Sequence, residues 1–163
     1  MEHMTSENLR NIAQEMGRKA FQGLVVLLHG ELGTGKTTFV RFFAEGFGID
    51  PKLIRSPSFN IIFVYRKGDM ELVHADLYRL NEEKEIFHTG LPEYMGRDST
   101  VVLIEWAEKL GRYTPENHVK LRLEFESEYE RTLIIETKGD KERKYMEKVL
   151  EVASIGEKIG ETQ

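Results

Sequence analysis

Five apolar residues in a row, Leu24-Val25-Val26-Leu27-Leu28, run almost directly into Gly30-Glu31-Leu32-Gly33-Thr34-Gly35-Lys36-Thr37, and nothing else in the chain restricts its fold so tightly. An unbroken apolar run of this length reads as a strand covered on both faces, as in parallel sheets packed between helices. The octet after it completes the pattern G-x-x-x-x-G-K-[ST]. Its glycines let the backbone turn successive N–H groups toward an anion at the start of a helix. A helix from Thr37 to Glu45 follows, closed by Gly46 and Gly48.

The rest of the chain fits around that unit. Leu9, Ile12, Ala13, Met16 and Ala20 recur at helical spacing behind Thr5 and Ser6, which predicts an amphipathic helix over residues 6–20. Arg55-Ser56-Pro57-Ser58 reads as a loop, because proline disfavours helix in the residue before it. Phe59 to Tyr65 and Met70 to Ala75, joined by Arg66-Lys67-Gly68-Asp69, form a hairpin, so the sheet must be mixed. Asn81 is placed to cap a short helix from Glu82, and Gly90, Pro92 and Gly96 interrupt what comes next. Val101-Val102-Leu103-Ile104 is a second fully buried strand.

Val119 to Phe125 alternates strictly and Thr132 to Glu136 more loosely, with Glu126 to Arg131 as their turn. These are expected to be half-exposed antiparallel strands near an edge. Tyr145, Met146, Val149, Leu150, Val152 and Ala153 mark a C-terminal amphipathic helix over residues 140–155, followed by a polar tail. With no internal repeat or linker, residues 1–163 are expected to form one α/β domain of the P-loop NTPase type. Its mixed central sheet is flanked by helices and carries antiparallel hairpins.

The chain has no cysteine, which removes disulfides, thiolate-bound zinc and thiol catalysis. Its formal charge of -5 argues against a protein that grips nucleic acid unaided, since neutralised phosphates supply most of such affinity, although one local patch could still escape that balance. The apolar run at Leu24 is far too short to span a bilayer, and the first residues show no export pattern. A cytoplasmic protein with no membrane partner is expected.

The chemistry concentrates at the loop. Gly33, Thr34, Gly35, Lys36, Thr37 and Thr38 are the candidate contacts to a nucleotide, ATP, with Mg²⁺ as its ion. Lys36 brings a point charge to the β- and γ-phosphates and is a catalytic candidate; the Thr37 hydroxyl is a candidate metal ligand. A carboxylate is needed beside them, usually at the C-terminal end of a neighbouring buried strand. Glu105, after four apolar residues, and Asp76, after Leu72-Val73-His74-Ala75, both qualify. One for the metal, Glu105, and one for the attacking water, Asp76, is an economical division.

Trp106, the single tryptophan, is either core or a lid over the nucleotide or a partner contact, and His74 is a packed strand residue rather than a base. Thr137-Lys138-Gly139-Asp140 has the look of a guanine-reading loop, but a strand end, a turn and an Asp140 N-cap explain it as well. Asp76-Leu77-Tyr78-Arg79 also lacks the glycine that a GTPase wants there.

The phosphate loop, Ser56-Pro57-Ser58-Phe59, His74-Ala75-Asp76-Leu77-Tyr78-Arg79-Leu80 and Leu103-Ile104-Glu105-Trp106 stand in the order and spacing of the TsaE (YjeE) family. The chain resembles that family over roughly residues 6–137. The resemblance implies a small ATPase needed to make threonylcarbamoyl adenosine on tRNA. It would bind the TsaD–TsaB pair, which performs the transfer, and reach tRNA only indirectly through that complex. It further implies that Lys36 and Thr37 hold phosphate and Mg²⁺, that Glu105 is the metal-side acid, and that Asp76 lies in the segment required for hydrolysis. Residues 56–59 would be a switch near the γ-phosphate. Ser58 stands where the family usually has Thr, Ala107 where Pro is common, and the charged helix after residue 140 is longer than the family's.

A small-molecule kinase is the enzymatic alternative, but Arg55, Arg66, Arg79, Arg97 and Arg112 are dispersed and form no lid. A nucleotide-dependent regulator with little turnover is the other. With no arginine obviously placed as a finger in cis, slow turnover by the isolated chain is expected.

Overall fold

In a computed structural model the chain is described except for Met1, Leu32, Thr34, residues 56–59, Glu126, Glu128, Tyr129, Thr162 and Gln163, and the side chains of 2–6, 131 and 154–161. The elements, in order, begin with β1 (Glu2–Thr5), α1 (Ser6–Arg18), β2 (Val25–His29) and α2 (Lys36–Phe47). Then come β3 (Ile62–Lys67), β4 (Met70–Asp76), α3 (Glu85–Thr89), α4 (Leu91–Met95) and β5 (Thr100–Glu105). A 3₁₀ segment, Ala107–Tyr113, leads to β6 (His118–Phe125), β7 (Glu130–Lys138) and α5 (Asp140–Glu161).

The strands form one mixed sheet in the order β1-β7-β6-β2-β5-β4-β3. β2 lies between two parallel neighbours, β5 and β6, and β5 is parallel to β4; the other pairs are antiparallel. Because side chains alternate along a strand, β2 feeds two cores. Leu24, Val26 and Leu28 pack under α1, α2 and α5, while Val25 and Leu27 face the short helices α3 and α4. All five residues of β2 are buried, as expected of its unbroken apolar run.

The expected strands and the long helices are present, with four differences. β1 was not foreseen: it pairs antiparallel with β7, so β7 is one strand in from the edge and β6 lies inside the sheet. Four residues reading Glu-His-Met-Thr carry too little alternation to announce a strand. Gly46 does not close α2, which continues to Phe47 and is capped by Gly48. Gly46 sits where α1 crosses, and a Cβ there would collide with the backbone of Gln14; Gly17 meets the backbone of Phe43 in the same way. Close approach, not termination, accounts for that glycine.

Asn81 caps nothing. The Glu85 carboxylate accepts from the N–H groups of Asn81 and Glu82 (3.3 and 3.1 Å), making a turn, and the helix starts at Glu85. Finally, α5 continues to Glu161 where a polar tail was expected, since no proline stops it.

Candidate nucleotide site

Strand register assembles the site. Asp76 lies opposite Glu105 on the β4–β5 ladder, and Leu28 lies opposite Glu105 on the β2–β5 ladder. The ends of three parallel strands therefore meet where the loop leaves β2 for α2. Alternation puts Glu105, Asp76 and His74 on the same face as Leu72 and Leu103, which is the face that α2 covers. The acids thus project toward the first turn of the helix that carries Lys36 and Thr37.

The loop has the backbone its glycines predicted. Gly33 (φ 80°) and Gly35 (φ 105°) occupy conformations that side-chain-bearing residues rarely adopt. No side chain caps the N-terminus of α2 at Gly35, so its first-turn N–H groups are directed at whatever lies over the loop. The Lys36 ammonium donates to the carbonyls of Gly30 (2.5 Å) and Glu31 (2.8 Å) and stands 4.3 Å over the Trp106 ring. Burial pulls the Lys36 pKa down, against the opposing pull of Glu105, Glu108, Asp76 and Glu31.

The Thr37 hydroxyl sits 2.9 and 3.1 Å from the two carboxylate oxygens of Glu105. Glu105 is only 3% exposed, and its second oxygen is 2.5 Å from His74 Nε2. With a carboxylate as partner, that ring nitrogen donates the proton. His74 is fully buried, and its Nδ1 has no hydrogen-bond partner among the described residues. It is the packed strand residue expected, and it also holds Glu105, a role the sequence reading missed. The signal was there in His74 and Asp76 being two apart on one strand face.

Asp76 is set differently. Its Oδ1 accepts from the backbone N–H of Tyr78 (3.0 Å), and burial pushes its carboxyl pKa up. The Tyr78 ring lies against Trp106, with centroids 5.1 Å apart. Lys109 donates to the carbonyls of Tyr78 and Leu80, tying the segment after Asp76 to the 3₁₀ turn after Trp106.

Trp106 itself has φ 57° and ψ 41°, the one left-handed non-glycine residue among those described. That conformation costs roughly 1–2 kcal/mol, and such strain gathers at functional sites. It is half-buried and lines a cavity of about 470 Å³ beside the loop, with His29, Gly30, Glu31, Glu108, Arg122 and Phe125 among the walls. His29 Nδ1 is 2.9 Å from Glu108 there. Arg122 is an arginine on that cavity's wall, and the dispersed-arginine reading passed over it because it stands on an ordinary exposed strand position.

The donor set suits Mg²⁺: a hydroxyl and carboxylates, all hard oxygens. Among the described residues no group of three or more His, Asp or Glu forms a metal cage. A phosphate-sharing ion needs none.

Of the remaining candidates, Thr38 is exposed on α2 one residue beyond Thr37. Thr34 and the segment Ser56-Pro57-Ser58-Phe59 lie outside the described residues. The guanine-reading look of residues 137–140 fails on geometry. Lys138 pairs with His118 at the start of β6, at the opposite end of the sheet from the loop. Asp140 there binds Arg143 (2.6 Å) and Lys144 (3.3 Å) in its own helix.

Comparison with known proteins agrees with this geometry. Residues 3–133 match the model of the family described as threonylcarbamoyl adenosine biosynthesis protein TsaE. The tRNA threonylcarbamoyladenosine biosynthesis protein TsaE of Bacillus subtilis is 36% identical over 135 residues, covering 83% of each chain. The Treponema pallidum protein of the same name is 39% identical over 108 residues, 66% of this chain and 78% of that one. The crystal structure of Bacillus subtilis YdiB superposes with a TM-score of 0.70 at 30% identity, covering 92% of this chain and 93% of that one. The family match takes in the loop, both acids and Trp106 alike, and the chain belongs to the TsaE family.

Proposed function

We propose that the chain binds ATP with Mg²⁺ and hydrolyses it as an accessory subunit in the formation of threonylcarbamoyladenosine on tRNA, together with the TsaD–TsaB pair. The ATPase reading rests on one contact above all, the Thr37 hydroxyl on the Glu105 carboxylate across 68 positions of sequence. It couples the residue after the phosphate-loop lysine to a buried acid on the neighbouring strand. The tRNA reading rests on membership of the family and on the names its members carry.

In this reading the loop N–H groups receive the phosphates, and Lys36 exchanges the carbonyls of Gly30 and Glu31 for β- and γ-oxygens. Thr37 and Glu105 would hold Mg²⁺, which when bound neutralises charge on those oxygens. His74 fixes the Glu105 carboxylate from behind. Asp76, partly desolvated and so a stronger proton acceptor, orients the attacking water, whose oxygen bonds to the γ-phosphorus as the bridge to ADP breaks. Trp106 and Tyr78 pack together at the edge of the site.

One experiment addresses both halves. Binding of ATP, and binding of TsaD–TsaB without nucleotide, with ADP and with a non-hydrolysable ATP analogue, are measured for the wild-type chain and for Lys36→Ala. The variant should lose ATP affinity by well over tenfold while keeping its unfolding temperature, and wild-type affinity for the pair should depend on the nucleotide. By linkage that dependence must appear as an equal change in ATP affinity. Unchanged ATP affinity in folded Lys36→Ala would sink the loop assignment; equal partner affinity in all three states would sink the coupled role.

A further inference from the structure

A second charged feature lies at the far end of the sheet. Lys141, Lys144 and Lys148 stand at i, i+3 and i+7 of α5 and so share one helix face, and Lys19 joins them just beyond α1. Together with Phe21 and Tyr145 they line a groove of about 480 Å³. Strand register separates it from the nucleotide site. Lys138 pairs with His118, and Val119 with Val26, so the end of β7 and the starts of β6 and β2 lie together. The length of β2, roughly 16 Å at about 3.3 Å per residue, stands between the groove and the phosphate loop.

The floor is fixed. The Tyr145 hydroxyl donates to the Met16 carbonyl (2.6 Å), and its ring meets Phe21 edge-on at 5.3 Å. The charge on the walls is not cancelled locally. Lys19 and Lys144 reach Glu15 and Asp140, each at 3.3 Å, but Glu15 is shared with Arg18 and Asp140 with Arg143. Lys141 stands 4.6 Å over the Phe21 ring, which attracts a cation without neutralising it. Neither Lys141 nor Lys148 has a carboxylate partner among the described residues. In a chain of net charge -5, four ammonium groups around one groove are a local reversal of sign.

We propose that this groove docks the phosphate backbone of RNA. From Lys141 to Lys148 the helix advances roughly 10 Å, so the ammonium groups form a row rather than a single point of charge. Ammonium groups meet phosphates as point charges, while a guanidinium fork would serve carboxylate and phosphate alike. The two arginines nearby, Arg18 and Arg143, are already engaged by acids of their own helices. The groove's free charges are therefore ammonium groups alone. Three of the four lysines lie beyond residue 133, where the family match ends. The choice of RNA rests on the tRNA reading above; the groove's affinity for a polyanion does not.

The test titrates the full chain with a labelled unmodified tRNA transcript, and separately with poly-glutamate of matched charge, between roughly 50 and 200 mM salt. Dissociation constants on the order of 10⁻⁴–10⁻⁶ M are expected for RNA, with a log–log salt slope of about -3 if four phosphates are neutralised. The triple variant Lys141→Gln, Lys144→Gln, Lys148→Gln should bind at least about tenfold more weakly and flatten the slope to about -1. Lys148→Glu, a single change at an exposed position, gives the same direction should the triple variant fold poorly. No RNA binding, or binding unchanged in the variants, overturns the proposal; poly-glutamate bound as tightly as RNA overturns it in favour of an acidic protein. ATP affinity measured on the same samples tells failure of the groove apart from failure of the nucleotide reading.

Discussion

The ends of β4 and β5 are neighbours in register, each closing on a carboxylate, yet the two acids live under different conditions. Glu105 is almost fully buried and gripped from two sides, by the Thr37 hydroxyl and by His74. Asp76 is half-buried, and its carboxylate accepts from the backbone N–H of Tyr78. A carboxylate locked among donors is suited to hold a cation in one place. One with an open side and a raised pKa is suited to exchange contacts with water. The sequence reading assigns Glu105 to the metal and Asp76 to the water, and the different surroundings support that proposed division.

The sharpest way to break that division is substitution at the gripped acid. Glu105→Gln keeps the shape and removes the charge, so Mg²⁺-dependent ATP affinity and hydrolysis should fall together, with kcat/KM down on the order of 10³. Steady-state phosphate release across a Mg²⁺ titration reads both. Asp76→Asn should lower kcat by about 10² through misplaced water while leaving ATP affinity within about twofold. Equal, large affinity losses in both variants would erase the contrast. A smaller effect is expected from behind the metal-side acid: His74→Leu should cost about tenfold in Mg²⁺ affinity, and His74→Gln, which keeps an N–H donor, should recover most of it.

The mildest test is pH. Burial raises the Asp76 pKa, so its ionised form, and the hydrolysis that needs it, should be present at neutral pH and fall away on acidification at a higher pH than an ordinary aspartate would allow. The acid limb of kcat should disappear in Asp76→Asn. A limb that persists there belongs to another group.

What the sequence disclosed was whatever periodicity or backbone need makes local. The buried run of β2, the octet after it and the two strand-end acids are each written in consecutive residues. Tertiary placement was not. Gly46 carries the same letter whether it ends a helix or lets another pass, and only the Gln14 backbone beside it decides. His74 looked like packing because the sequence does not show that the β5 acid lies one step diagonally from it. β1 was missed because four residues hold too little alternation. The lysine groove was missed because Lys19 and the α5 lysines come together only through folding.

The contact of α1 with α2 through Gly17 and Gly46 bears on how such a site works. With main chain seated against main chain at both glycines, no side-chain layer separates the two helices at that crossing, and side chains such as Met16 and Phe43 pack in the core around it. The helix that presents Lys36 and Thr37 at its start is therefore braced at its other end, like an anvil. On the proposed function, adjustment to nucleotide or partner would fall to the other wall, the tethered pair of turns after Asp76 and Trp106, where Lys109, Tyr78 and a strained tryptophan backbone supply contacts that can be traded.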